Sequence, residues 1–555
     1  MPTVRQLLEQ AIAHHQARRL DEAEAIYRQI LAAVPDEPNT LNLLGLLAHA
    51  RGQLDLSLQM LSKAVSLVPN QAMFRSNLGQ VLAALGREND ALAELKRAHD
   101  LRTDSPEILN NLGHLLWLMG RADEAIPLLQ KSIALLPNLA ISHNHLGNAY
   151  RALGRAEDAI PTLRRAVELS PQEAVFHNNL GTALQDADRL DEAIACFDHA
   201  LTLRANFAEA HNNRGTCLRM NGRLDDAIGE FRRAIAIQGD YPMAHFNLGL
   251  TLLLTGDFEP GWREAEWRWR VREHRLQPQH YPQPLWDGSQ LDGKTILLYP
   301  EQGYGDAIQF SRYAPLVAQR GGRVLLACQP GLRRLFDGFP GAERVMTNGD
   351  MLPAFDVRCP LMSLPMVFGT NLSNIPAAIP YLKADPSLAA RWRERLGNDP
   401  RRKIGIAWGG RPAHRQDRQR SIPLETLAPL ASVPSARFVS LQTGPAAAQL
   451  KTANLPFEIT DWAPELTDFA DTAALVDALD LIITVDTAVA HLAGAMGKPV
   501  WNLIAFVPDW RWLLNRRDTP WYPTMRLFRQ AELGDWRGPI RQVVDELQKA
   551  DSPAA

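Results

Sequence analysis

The chain predicts an α-solenoid of stacked helix pairs followed by an α/β region of two parallel-sheet lobes. Two observations carry that expectation: a glycine recurring every 34 residues through the first half, and short β-branched runs alternating with amphipathic stretches after Lys294. The glycines are Gly45, Gly79, Gly113, Gly147, Gly181, Gly215 and Gly249, each preceded by leucine except at Arg214. Such a period is that of a helix–turn–helix repeat. Other positions keep step. Twelve residues after the glycine stand Ala91, Ala125, Ala159, Ala193 and Ala227, small enough to let two helices pack closely. Twenty-four residues after it stand Pro69, Pro137 and Pro171, which end the second helix because proline cannot donate the next backbone hydrogen bond. Ala11, Ala23, Tyr27 and Pro35 fit an earlier unit without the glycine, giving eight units over residues 4–275. One unit cannot bury its apolar face alone, so the units stack into a superhelix.

Before each Leu-Gly pair stands an asparagine: Asn77, Asn111, Asn179, Asn213 and Asn247, with His145 substituting once and Leu43 breaking the column. A side-chain amide both donates and accepts, so such a ladder can hold a peptide backbone of any sequence; it can equally serve helix packing. The repeats and ladder resemble the tetratricopeptide superhelix of the O-GlcNAc transferases, where the ladder lines the concave face. That resemblance implies a groove that binds polypeptide.

Composition bounds the function classes. The 555 residues have room for three domains, and 46% hydrophobic with 22% charged residues is ordinary for a globular protein. A net charge of −3 offers no broad basic field, which argues against nucleic acid as the main partner. Cys196, Cys217, Cys328 and Cys359 form no metal-type pair or disulfide framework, as expected of a reducing cytoplasm. Val4 to Ile30 is a charged amphipathic helix with no secretory pattern, and no run approaches the ~20 apolar residues that span a bilayer. We therefore expect a soluble, cytoplasmic protein, with homodimer formation left open.

After Gly256 the repeat pattern gives way to Phe258, Trp262, Trp267 and Trp269, expected to cap the solenoid and glue it to the next domain. Residues 276–293 read as a docking linker. Two strand–helix sets come next, at 294–385 and 400–550. The first has strands Thr295–Tyr299 and Arg323–Cys328 around a helix Ala307–Gln319. The second has strands Lys403–Trp408, Arg437–Leu441, Leu481–Val485 and Pro499–Leu503, with helices near Asp468–Leu479 and Ala488–Met496. This is the grammar of two Rossmann-like lobes, with ligands expected where the carboxyl ends of their strands face one cleft.

Three loops carry candidate chemistry. The first runs from Tyr299 to Asp306: Gly303 and Gly305 permit close approach of a ligand, and Asp306 is either a helix cap or a base, with Glu301 a competing carboxylate. In the second lobe an apolar strand ends in Asp486-Thr487, with His491 in the first turns of the next helix. A helix start favours phosphate, though Asp486 and Thr487 can also be caps and His491 a core residue. Between them, residues 409–421 hold Arg411, Arg415, Arg418 and Arg420, a phosphate cluster or a solvated surface. His414 and Asp417 there can orient a sugar or catalyse; Trp408 stands at the loop's start. Gln442 ends a strand where a nucleoside could sit.

Taken in order, Gly305-Asp306, the loop ending Arg420-Ser421 and Asp486-Thr487-x-x-x-His491 resemble elements of the GT-B heptosyltransferase group. The whole, a tetratricopeptide superhelix followed by a GT-B fold, resembles bacterial tetratricopeptide glycosyltransferases. The resemblance implies an inverting, metal-independent glycosyltransferase with Asp306 as base. Arg420 would be a phosphate contact that is lysine in many heptosyltransferases, and Asp486, Thr487 and His491 the donor-phosphate site. It implies a nucleotide sugar, no metal or other cofactor, and serine or threonine of a protein held in the groove as acceptor, flagellin among the candidates. The alternatives are a glycan acceptor, against which an eight-unit groove argues, or an inactive assembly scaffold.

Overall fold

A computed structural model describes residues 3–271, 281–347, 349–410 and 417–551. The chain divides into two compact units, Met1–Cys217 and Leu218–Ala555.

The first unit is a solenoid of antiparallel helix pairs, from Val4–Gln16 with Leu20–Ala33 to Ala174–Asp186 with Leu190–Leu203. The recurring glycine is needed where the two helices of a pair touch. A Cβ added to Gly45, Gly79 or Gly113 would lie 2.7 Å from Cγ of Leu61, Leu95 or Leu129, sixteen residues on. The partner residue is therefore this large side chain, while the small residue at twelve contributes backbone, as Ala91 does to Gly79. A second column ends each first helix in a left-handed residue: Gly52, Gly86, Gly120 and Gly154, with Asp188 in the same place at φ 58°. Pro69, Pro137 and Pro171 stand two residues beyond their helices, and their carbonyls accept from Arg75, His143 and His177 of the following helix.

The second unit opens with helices Leu224–Ile237 and Pro242–Thr255. Helical structure does not stop at Gly256. The pair is completed by Phe258–Ala265 and a 3-10 turn, Glu266–Arg270, with Gly261 packed on Leu253. The aromatic residues hide this helix from pattern reading because they are its buried face. They also dock it: the Trp262 indole donates to the Thr370 carbonyl (2.8 Å) and meets Trp510 edge-on, while Trp269 packs beside Leu297 and Tyr299. The described part of the linker pairs backbone with residue 358, Trp286 N donating to Arg358 O at 2.8 Å.

Two parallel sheets complete the unit. The first has β1 (Thr295–Tyr299), β2 (Arg323–Ala327), β3 (Arg344–Met346) and β4 (Val357–Pro360) in the order β3-β2-β1-β4. The second has β5 (Arg402–Ala407), β6 (Ala436–Ser440), β7 (Ile459–Asp461), β8 (Leu481–Val485), β9 (Val500–Ile504) and β10 (Met525–Arg529) in the order β10-β9-β8-β5-β6-β7. β1 and β8 are buried along their whole length, which explains their unbroken apolar sequences. The order reverses between β1 and β4 and between β5 and β8, the places where parallel sheets open a crevice for ligands. The helix expected over Ala307–Gln319 is two, Tyr304–Ser311 and Ala314–Gln319. Pro315 sits in the first turn of the second, where its missing N–H costs nothing.

Candidate functional site

Each switch point carries one of the predicted motifs. β1 ends at Tyr299, and the chain turns through Glu301 to Gly303, the N-cap of helix Tyr304–Ser311. The two carboxylates of this loop part company. Glu301 turns inward, its side chain 3% exposed, and pairs with Arg268 of the 3-10 turn at 2.7 Å. Burial pushes its carboxyl up to about 7 against the pull of Arg268. It fastens the docked helix and is lost as a candidate base. Asp306 is more open, at 20%; one carboxylate oxygen accepts from Gly303 N (3.0 Å) and the other from Arg511. Capping and exposure thus coexist in one side chain.

β8 delivers the second motif. Thr487 is the N-cap of helix Ala488–Ala495, yet its hydroxyl makes no capping bond and lies 3.3 Å from that of Thr484. Asp486 is half-buried; burial, and then the neighbouring Asp509, push its carboxyl up to about 6, while Arg420 and Arg511 oppose the shift. His491 is buried, with Nδ1 2.9 Å from the Tyr522 hydroxyl and its ring stacked near Trp512. Burial, then Arg511, Arg312 and Arg420, hold it well below the ordinary histidine range, so the ring is neutral at physiological pH. The two motifs meet here. A Cβ on Gly305 would be 2.8 Å from His491 Cδ2 and 3.6 Å from Ala488 Cα, so this glycine sits directly on the start of the second-lobe helix. Arg334 with Asp468 and Asp471, and Tyr304 with Phe469, join the lobes beside it.

The loop after β5 supplies Arg420, whose guanidinium faces Asp417 at 3.4 Å and bears electrostatically on Asp486 and His491. Arg411, His414 and Arg415 lie outside the described residues. Asp417 is half-buried beside Gly410 and pairs with Arg420 rather than standing alone. Two expected contacts need correction. Trp408 is fully buried in the core of the second lobe, so its side chain has no surface to offer a ligand. Gln442 is also buried, and its amide is spent on backbone: Oε1 accepts from Trp408 N (2.9 Å) and Gly409 N (2.8 Å), while Nε2 donates to Gly409 O and Thr443 O. With both acceptor and both donor positions used, it shapes the arginine loop instead of touching a nucleoside.

Arg511 escaped sequence reasoning. It comes after β9 inside Trp510-Arg511-Trp512, and a charge set in an aromatic run at the carboxyl end of a buried strand was the available signal. Its guanidinium reaches Asp306 and Gln309 of the first lobe and Asp509 of its own loop. Among the described residues no group of three or more His, Cys, Asp or Glu side chains is arranged to hold a metal ion.

The ladder of the first unit spends hydrogen bonds between repeats. Asn77, Asn111, Asn179 and Asn213 donate to Asn42, Ser76, Asn144 and Asn178 of the preceding repeat at 2.8–3.1 Å, and His145 pairs with Asn110 at 2.9 Å. Asn111, Asn179 and Asn213 stay partly exposed; Asn247, in the second unit, is buried. The acceptor column, one residue before the ladder, escaped sequence reasoning and is the packing partner.

Comparison with known proteins fits this architecture. Residues 438–506 match the model of glycosyltransferase family 9 (heptosyltransferase), and residues 8–72, 70–138, 104–172 and 178–242 match tetratricopeptide-repeat models. The chain joins tetratricopeptide repeats to a family 9 glycosyltransferase domain. The family 9 match runs from within β6 to just past β9 and so contains Gln442, Asp486, Thr487 and His491. Protein FlbA of Caulobacter vibrioides is 27% identical over 312 residues, covering 50% of this chain and 52% of FlbA. The chain thus spans about half the length of that curated relative. Among solved structures, the APC/C hetero-tetramer Cut9-Hcn1 is similar over 44% of this chain and 48% of that one (20% identity, TM-score 0.41). YrrB, a TPR protein with an unusual peptide-binding site, is similar over 33% and 95% (23% identity, TM-score 0.28). No helix among the described residues is long and apolar enough to cross a membrane.

Proposed function

We propose that this tetratricopeptide family 9 protein is an inverting glycosyltransferase of the GT-B type, moving a sugar from a nucleotide-sugar donor to a serine or threonine hydroxyl of a polypeptide. The observation that carries the reading is the contact of Gly305 with His491 and Ala488, which sets the Asp306 loop of one switch point against the Asp486 helix of the other. A donor phosphate at Thr487 would meet the free backbone amides of a helix start, the Thr487 hydroxyl, which is not spent on capping, and Arg420. Neutral His491 bonded through Nδ1 to a donating Tyr522 would carry its hydrogen on Nε2 and add one more donor.

In the reaction the acceptor oxygen attacks the anomeric carbon, the carbon–oxygen bond to phosphate breaks with its electrons going to the nucleotide, and Asp306 takes the hydroxyl proton. Arg420 and the helix start act on the charge that develops on the leaving phosphate. The partly exposed ladder residues Asn111 and Asn179 retain donor and acceptor capacity for a polypeptide backbone, which is the role we assign to the repeats.

The test is a panel of nucleotides and nucleotide sugars scored first by thermal stabilisation and then by turnover on protein acceptors. We expect one nucleotide class to stabilise the protein, turnover to persist in excess EDTA, and Asp306→Asn to lower kcat on the order of 100-fold or more while leaving nucleotide binding within about threefold. Stabilisation by no nucleotide would favour a scaffold. Abolition by EDTA, restored by a divalent cation, would overturn the metal-free scheme.

A further inference from the structure

One buried charge has no task in that reaction. Arg511 is 7% exposed and lies in the loop after β9, away from both motifs in sequence. Every side of its guanidinium is engaged. Nε donates to Gln309 Oε1, Nη1 to Asp509 Oδ1 at 2.9 Å and Nη2 to Asp306 Oδ1, while the Trp510 ring lies 4.5 Å and the Phe310 ring 5.5 Å from its central carbon. Asp306 and Gln309 are one helical turn apart, so the planar fork reads one face of the first-lobe helix from the second lobe. Asp509 holds the fork from behind and is itself fixed by accepting from Arg511 N at 3.0 Å. Burial works against this charge, and Asp509, Asp306 and Asp486 more than restore it.

A cation buried so deeply and held by three acceptors is costly to leave unpaired, and each acceptor constrains its geometry. Gly303 N already fixes one oxygen of Asp306. With Arg511 on the other, the carboxylate plane is set by one contact from each lobe. We propose that Arg511 is a positioning residue for Asp306: it orients the carboxylate towards the acceptor hydroxyl, so that the base is competent only when the lobes are packed together. This rests on the glycosyl-transfer reading. Arg511 itself exchanges no proton; the hydroxyl proton passes to Asp306 as the sugar–phosphate bond breaks. Lysine could not replace it, because one ammonium cannot span Asp306, Gln309 and Asp509 in a plane.

The experiment uses the full chain with the nucleotide sugar that it turns over, comparing Arg511→Gln, Arg511→Lys, Asp509→Asn, Asp306→Asn and the double variant Asp306→Asn/Arg511→Gln. Arg511→Gln should lower kcat about 10- to 100-fold with donor KM within about threefold, because it acts on the base and not on the phosphate. In the Asp306→Asn background the same substitution should cost less than about threefold. Arg511→Lys should not restore kcat. Asp509→Asn, which keeps side-chain shape, should lower kcat about 3- to 10-fold if Arg511→Gln fails to fold. Equal cost of Arg511→Gln with and without Asp306, a loss confined to donor KM, or an unmoved Asp509→Asn would overturn the proposal. Full activity in Asp306→Asn would instead sink the assignment of the base, and an unaltered protein that turns over no nucleotide sugar would remove the reaction itself.

Discussion

Gly305 has no room for a side chain because the two lobes meet at it. The atoms an added Cβ would strike are His491 Cδ2 at 2.8 Å and, behind it, Ala488 Cα. His491 cannot retreat easily, since its ring is buried between Tyr522 and Trp512. Gly305→Ala should therefore force the two lobes apart by a few tenths of an ångström, destabilise the protein by about 1–3 kcal/mol, as overpacking does, and lower turnover on the order of 100-fold by misplacing Asp306 against the donor. Chemical denaturation and steady-state kinetics measure the two effects. Unchanged kcat in a correctly folded variant would show that the close approach is incidental. Glu301 makes the contrast within one loop: four residues earlier, it faces Arg268 and the docked helix, so Glu301→Gln should disturb stability and leave the acid limb of the rate profile in place.

At the scale of the element, the ladder is a hydrogen-bonded column with one member out of type. Where its neighbours have an amide, the fifth repeat has His145, stacked on His114 at 4.0 Å and bonded to Asn110. Burial, then the charge of His114, hold His145 down at about 3. The unfolded chain takes up this proton near pH 6.5 and the folded repeat does not. Stability is therefore fully present above about 6.5 and is lost as pH falls, by roughly 1.4 kcal/mol per unit. His145→Asn should flatten this dependence by about 2 kcal/mol between pH 6.5 and 5, as read by denaturant midpoints at the two pH values; equal slopes would show that the ring is already charged or exposed. The ladder also shows what a single sequence reveals. Its period and its amide chemistry were legible, whereas the acceptors Asn42, Ser76, Asn110, Asn144 and Asn178 one place earlier emerge only when the repeats stack. β3, β4 and β7 were not legible either, because strands of three or four residues at or near sheet edges carry too few apolar positions to stand out. The jobs of Gln442 and Arg511 were hidden for a different reason: beyond Thr443 and Asp509 next to them, the partners lie 33 to 205 residues away, and only tertiary packing brings them together.

For the whole molecule, division into Met1–Cys217 and Leu218–Ala555 places the ladder's hydrogen bonds in one compact unit and the residues proposed to hold the donor in the other. The boundary falls in the seventh helix pair rather than after the eighth, because Trp262, Arg268 and Trp269 bind the last pair to the first sheet. Two units with separate cores should unfold as two transitions in calorimetry, and each has its own handle. Acid should lower the transition of the unit that contains His145. A nucleotide at ~100 times its Kd should raise the other by about 2.7 kcal/mol at most, because a ligand stabilises only the cooperative unit that holds its site. His145→Asn should abolish the first response and leave the second, while Gly305→Ala should do the reverse. A single transition moved equally by acid and by nucleotide would mean that the repeats and the transferase domain unfold as one body, and that the ladder and the donor site are coupled through every residue between them.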